Sequence, residues 1–202
     1  MIPFQKSIVI FLLMLGFSSW AGAEETTPKQ VVMSTIESII AVLESREDKT
    51  TVNAMDREGI RQVVAGKFDY REMSRRSVGK PWKKMNEAKK AEFTELFRQV
   101  LEFSYGNQLA AYNGQKVVLK DAEFKKDKAR VKGAVVDSNK SIPMEYRLHQ
   151  THSGWQVYDI KIEGVSLVTT FRKDFKSIVK KQGIDGLMDI LGKKVAKLKA
   201  KG

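Results

Sequence analysis

The chain has 202 residues, 36 Lys and Arg against 24 Asp and Glu for a formal net charge of +12, and no cysteine. The absence of cysteine excludes disulfides, thiolate metal sites and cysteine nucleophiles. The length suffices for one domain whose core needs no covalent staples.

Residues Met1 to Ala23 read as an export leader. Lys6 supplies the positive start, Ser7 to Phe17 (SIVIFLLMLGF) the apolar stretch, and Ala21-Gly22-Ala23 a small-x-small cleavage site. The apolar stretch is shorter than the roughly 20 residues of a spanning helix. A cleaved leader, with a single exported domain over Glu24–Gly202, is therefore expected in preference to a retained anchor. Loss of Lys6 takes the net charge from +12 to +11. Outside the cytoplasm such a protein meets little nucleic acid, so an anionic membrane surface or acidic partners are its natural counter-charges; charge that serves only solubility is the equal alternative.

The mature chain reads as helices, then strands, then helix. Pro28 suits a first helical turn, and Val31, Val32, Ile36, Ile39, Ile40 and Leu43 form a helical stripe. A second helix is expected over Asp56–Ala65. A third starts at the cap Asp69 and stops at Gly79 and Pro81. Asn86 caps the longest, which runs to Tyr112 and carries large apolar groups on both faces near Phe97 to Tyr105, as a central helix would. After Gly114 the apolar period shortens to two. Strands are expected at Lys116–Phe124, Ala129–Val136, Ile142–Gln150 and Trp155–Ile162, joined by short turns into an antiparallel meander. In the third strand Ile142, Met144, Tyr146 and Leu148 share one face, and Pro143, Glu145, Arg147 and His149 the other. Glu163-Gly164 turns the chain, and Ser166 caps a last helix carrying Phe171, Phe175, Ile178 and Val179. The expected fold is α+β: a curved antiparallel sheet of four strands or slightly more, wrapped by N- and C-terminal helices.

Catalytic chemistry is sparse. His149 and His152 lack a third ligand of suitable spacing and read as surface residues. Asp159 beside Tyr158 could polarise a carbonyl in an apolar pocket. The favoured reading is a structural carboxylate accepting backbone or Ser/Thr hydrogen bonds at the strand end. No phosphate loop, GxSxG or His-Glu-x-x-His pattern occurs. The basic tail, GKKVAKLKAKG, suits either a lipid surface or a solvated helix end.

Three blocks resemble one family. They are Phe68-Asp69-Tyr70 through Gly79-x-x-Trp82; Phe93-x-x-x-Phe97 with Tyr105-Gly106, Leu109 and Tyr112-x-Gly114; and Gly154-Trp155-Gln156-Val157-Tyr158-Asp159, Glu163-Gly164-Val165-Ser166-Leu167, Arg172, Phe175 and Gly183-Ile184-Asp185-Gly186-Leu187. In order and spacing the chain is similar to the MlaC, or toluene-tolerance auxiliary-component, family of periplasmic phospholipid carriers.

That resemblance implies a non-enzymatic carrier with no cofactor. Its cargo would be glycerophospholipid, shuttled between an outer-membrane lipoprotein–porin complex and the inner-membrane MCE-domain protein of an ABC transporter. Acyl tails would lie in an apolar cavity between sheet and helices. At about 0.8 kcal/mol per buried methylene, two tails of roughly 30 methylenes give a gross term above 20 kcal/mol, so a carrier in water must enclose them. A pocket near the upper end of the ~300–1,000 Å³ range is expected. The candidate lining residues are Ile142, Met144, Tyr146 and Leu148; Val117, Leu119, Val131 and Val135 from the first two strands; Val157, Ile160 and Val165 from the last; Phe97, Leu101 and Tyr105 from the long helix; and Leu167 and Val168 from the helix that follows. Ordinary core packing is the alternative for each. Lys80, Lys83 and Arg147 could attract a phosphate, with solvated surface the favoured reading of each. An enzyme using Asp159 and Tyr158, or a periplasmic protein-binding adaptor, are the alternative functions.

Overall fold

A computed structural model describes residues 26–138 and 140–200; the expected leader and its cleavage site lie outside them. Among the described residues the chain forms five helices and six strands. Helix α1 (Pro28–Ser45) begins with a capping box: Thr27 Oγ1 accepts from Gln30 N, and Gln30 Oε1 accepts from Thr27 N at 2.7 Å. Helix α2 (Ala54–Val64) repeats the device with Asn53 and Asp56, two residues earlier than expected. Helix α3 (Tyr70–Val78) is capped by Asp69, whose Oδ1 accepts from Glu72 N at 2.8 Å. A 3₁₀ turn at Lys80–Lys84 buries Trp82 and leads into α4 (Glu87–Leu109), which ends three residues short of Tyr112.

The sheet is antiparallel and open, in the order β1-β3-β4-β5-β6, with β2 also paired to β3. Its strands are β1 (Lys116–Leu119), β2 (Glu123–Lys125), β3 (Lys128–Asp137), β4 (Lys140–Thr151), β5 (Gly154–Ile162) and β6 (Val165–Ser166). The single first strand expected over Lys116–Phe124 is thus two strands laid along β3. Gly133 permits the first of them, because a Cβ there would stand 2.3 Å from Val118 O and 2.6 Å from Leu119 Cδ2. The expected turn after Ile162 also contains a two-residue strand on β5.

One irregularity in β5 redirects the sheet. Arg147 opposes Asp159 while Leu148 opposes Val157, so Tyr158 has no partner across the ladder. Such a bulge shifts the alternation of facing by one residue. Val157 and Ile160, an odd and an even position, therefore share the face of Leu148 and Tyr146. At this point the strand's far edge also receives the segment before α3: Asp69 N donates to Val157 O at 2.9 Å and Val157 N to Lys67 O at 2.8 Å.

Helix α5 (Leu167–Lys199) starts at the cap Ser166 and is broken at Gly183, where φ is 71° and ψ −172°. Two dry clusters result. One joins α3, α4 and α5 around Phe93, Phe97, Phe171 and Phe175, with ring centroids 4.9–6.1 Å apart, and takes in Tyr158. The other seats Val31 and Val32 of α1 on Ala129, Val131, Leu148, Trp155 and Val157 of the sheet. Phe68 packs against both.

Candidate ligand cavity

Between the two clusters lies a cavity of about 580 Å³. One wall is the C-terminal half of α1 (Ile36, Ile39, Ile40, Leu43) with Ile60 and Val64 of α2. Opposite stand Leu101, Tyr105 and Leu109 of α4, and Phe68, Tyr70 and Met73 lie about the start of α3. The sheet supplies Val117, Val135, Ile142, Met144, Tyr146, Val157, Ile160 and Ile162. Polar side chains are few: Thr35, Glu102, Gln108, Gln115, Asp137 and Lys140. The volume falls mid-range for ligand pockets rather than at the upper end expected.

The structure divides the candidate lining residues into two sets. Leu101, Tyr105, Val117, Val135, Ile142, Met144, Tyr146, Val157, Ile160 and Leu167 stand in the wall. Leu119, Val131 and Leu148 belong to the packing under the first turns of α1. Phe97, wholly buried, is enclosed by Phe93, Phe171 and Phe175, and Val168 joins the same helical core. Val165, on the short β6, is 60% exposed. Alternation marks a face of a strand; what covers each part of that face depends on where α1 crosses it.

Sequence reasoning missed the α1–α2 wall. Its signal was present, since the stripe Ile36, Ile39, Ile40, Leu43 carries four large aliphatic groups in eight residues. Of these only Leu43 is buried, and the isoleucines are half-buried. It also missed Phe68, Tyr70 and Met73, which belong to the first family block.

Glu102, in the cavity wall, is paired. Glu102 of α4 accepts from Arg61 of α2 at 2.8 Å and from Arg98 at 2.6 Å; Arg61 also meets Glu58, and Arg98 also meets Glu95. Burial pushes the Tyr70 hydroxyl up to about 12, with Arg98 pulling the other way. Burial alone takes Tyr146 to about 12 and raises Tyr105. These phenols stay neutral throughout the physiological range. At the rim, Gln115 Nε2 donates to Asp137 Oδ2 at 3.2 Å, and Tyr112 Oη donates to Glu44 Oε1 at 3.2 Å. The cations weighed for a phosphate lie elsewhere. Arg147 pairs with Glu145 at 2.8 Å, Lys83 is exposed, and Lys80 borders a separate depression with Lys84, Lys89, Met85 and Val179.

Asp159, 3% exposed, has both oxygens engaged. Ser166 Oγ donates to Oδ2 at 2.7 Å and Val168 N to Oδ1 at 3.2 Å, while Arg147 stands 3.6 Å away. Ser166 Oγ in turn accepts from Thr169 N at 3.0 Å. The carboxylate therefore ties strand β5 to the first turn of α5, where the helix dipole favours negative charge. His149 is not a free surface side chain: half-buried, it meets Asp69 Oδ2 at 3.0 Å and packs edge-on against Tyr158. Among the described residues no three His, Cys, Asp or Glu side chains cluster as metal ligands. None of the helices among the described residues is long and apolar enough to cross a membrane.

Comparison with known proteins places this geometry in context. The sequence profile of the family described as "MlaC protein" matches residues 33–193. The toluene tolerance protein ttg2D of Pseudomonas putida is 24% identical over 94% of this chain and 91% of its own length. The intermembrane phospholipid transport system binding protein MlaC of Haemophilus influenzae is 20% identical over 90% of this chain and 88% of its own. Among solved structures, a phospholipid-binding protein from Ralstonia solanacearum in complex with a phospholipid superposes with a TM-score of 0.74. It shares 23% identity, and the match covers 83% of this chain and 96% of that one.

Proposed function

The chain belongs to the MlaC family, and from that premise we propose that it is a phospholipid carrier holding acyl tails between its sheet and the α1–α2 wall. One observation carries the reading: a cavity of about 580 Å³, lined almost wholly by aliphatic and aromatic side chains, between two cores that are themselves dry. Hydrocarbon needs no catalytic groups, only shape and exclusion of water. Met73 and Met144 in the wall adapt to chains of different length and saturation. The relative named for intermembrane phospholipid transport, matched over 88% of its own length, supports the same cargo class.

The finer assignment is part of the proposal. The protein acts in the periplasm as a single domain after cleavage behind Ala23. It exchanges glycerophospholipid with an inner-membrane MCE-domain protein and an outer-membrane lipoprotein–porin complex, and its net positive charge allows transient contact with anionic bilayers. Mass spectrometry of protein purified from a phospholipid-rich host should find close to one lipid per chain. Met144→Glu, which places a charge in the wall without touching Phe97 or Leu148, should abolish recovery while the circular dichroism spectrum is kept. Wild-type protein that remains free of lipid in that host would end the proposal.

A further inference from the structure

The α1–α2 hairpin is held differently from the other helices. Helices α3, α4 and α5 share a dry aromatic core, and the first turns of α1 are seated on the sheet. In α2 the one buried residue is Arg57, whose guanidinium lies 5.2 Å over the Phe103 ring of α4; Met55 is 83% exposed. Across the cavity from α4, α2 presents only half-buried Ile60 and Val64. Besides Arg57 on Phe103, the seam is spanned by two polar pairs, Arg61 to Glu102 at 2.8 Å and Tyr112 Oη to Glu44 at 3.2 Å. Partly exposed ion pairs and single hydrogen bonds break easily, whereas a packed aromatic core does not.

The cargo gives a reason for such a seam. Acyl tails are costly to expose to water, and the cavity of about 580 Å³ that would take them is lined almost wholly by apolar side chains. A tail threaded endwise would pass its methylenes through water in succession. A seam that parts along its length avoids that exposure.

Resting on the phospholipid reading above, we propose that the C-terminal half of α1 and α2 form a flap, clasped onto α4 by Arg61–Glu102 and onto the segment just after α4 by Glu44–Tyr112. Acyl tails enter and leave sideways through the seam it closes.

The chain has no cysteine of its own, so the flap can be locked chemically. Arg61→Cys with Glu102→Cys, loaded with a fluorescent diacyl phospholipid, is bridged by a short reducible bis-methanethiosulfonate. Transfer to mixed phosphatidylethanolamine–phosphatidylglycerol vesicles is then timed. The bridged protein should keep its lipid and transfer it at least about tenfold more slowly, as expected where lid opening limits release. Reduction should restore the rate, and the unbridged variant, lacking the clasp, should be at least as fast as wild type. A bridge between Lys89→Cys and Asp185→Cys, outside the cavity, should leave the rate unchanged. Transfer at the unbridged rate by a fully bridged, loaded protein overturns the flap but not the carrier. Wild-type protein that takes up no phospholipid overturns both. Should the first pair fail to fold, Glu44→Cys with Tyr112→Cys at the other clasp gives the same reading.

Discussion

Asp159 is the residue on which a catalytic and a structural reading diverge most sharply. Its oxygens are taken by Ser166 Oγ and Val168 N, so it acts as a brace between the last long strand and α5. Asp159→Ala should lower stability by about 1–3 kcal/mol, because a buried hydroxyl and a helix N–H lose their acceptor. Asp159→Asn, which keeps one carbonyl acceptor, should cost less in denaturant titration, and lipid recovery should survive both. The phenols of the cavity make a separate prediction. Burial holds Tyr146 at about 12 in the folded protein, against 10 for an exposed phenol. Below pH 10 both states keep the proton. Between 10 and 12 only the unfolded chain releases it, so stability falls as pH rises through that window, by as much as ~3 kcal/mol. Urea midpoints measured across that range should drop for wild type, and Tyr146→Phe should flatten part of the decline. Alternation in β4 places Tyr146 on the apolar face, but its depth depends on α1 and α4 closing over it.

At the scale of elements, caps and turns proved readable. Asp69, Asn86 and Ser166 each cap the helix assigned to them, because a side chain accepting the free N–H groups of a first turn is a local event. Pairing was less readable. Nothing local distinguishes one strand at Lys116–Phe124 from β1 and β2, since that division depends on how β3 presents Gly133. The bulge at Tyr158 is likewise invisible in a β-rich run and appears only when β4 fixes the register. The break in α5 has a local cause. Gly183 adopts φ 71° and ψ −172°, a region essentially restricted to glycine, while space around its Cβ position is open. Gly183→Ala should therefore destabilise by about 1–3 kcal/mol through backbone strain alone. Thermal melts would detect this, and an unchanged midpoint would mean that the two halves of α5 can merge into one straight helix.

Across the whole molecule, the order of helices, antiparallel strands and a closing helix was determined by the sequence, as were the apolar face of β4 and the three blocks that mark the MlaC family. These follow from periodicity and capping, which act over a few residues. Tertiary structure decided which apolar residues meet one another and which face a cavity. Val131 and Leu148 lie on the same sheet face as Val135 and Met144, yet α1 covers the first two and leaves the others in the wall. Likewise, only the folded chain opposes the isoleucine stripe of α1 to α4 across a gap, and sets Arg61 against Glu102 at a separation of 41 residues. Hydrophobicity says that a side chain will leave water; whether protein or a gap lies beyond it is set by long-range packing, where helices distant in sequence meet or fail to meet.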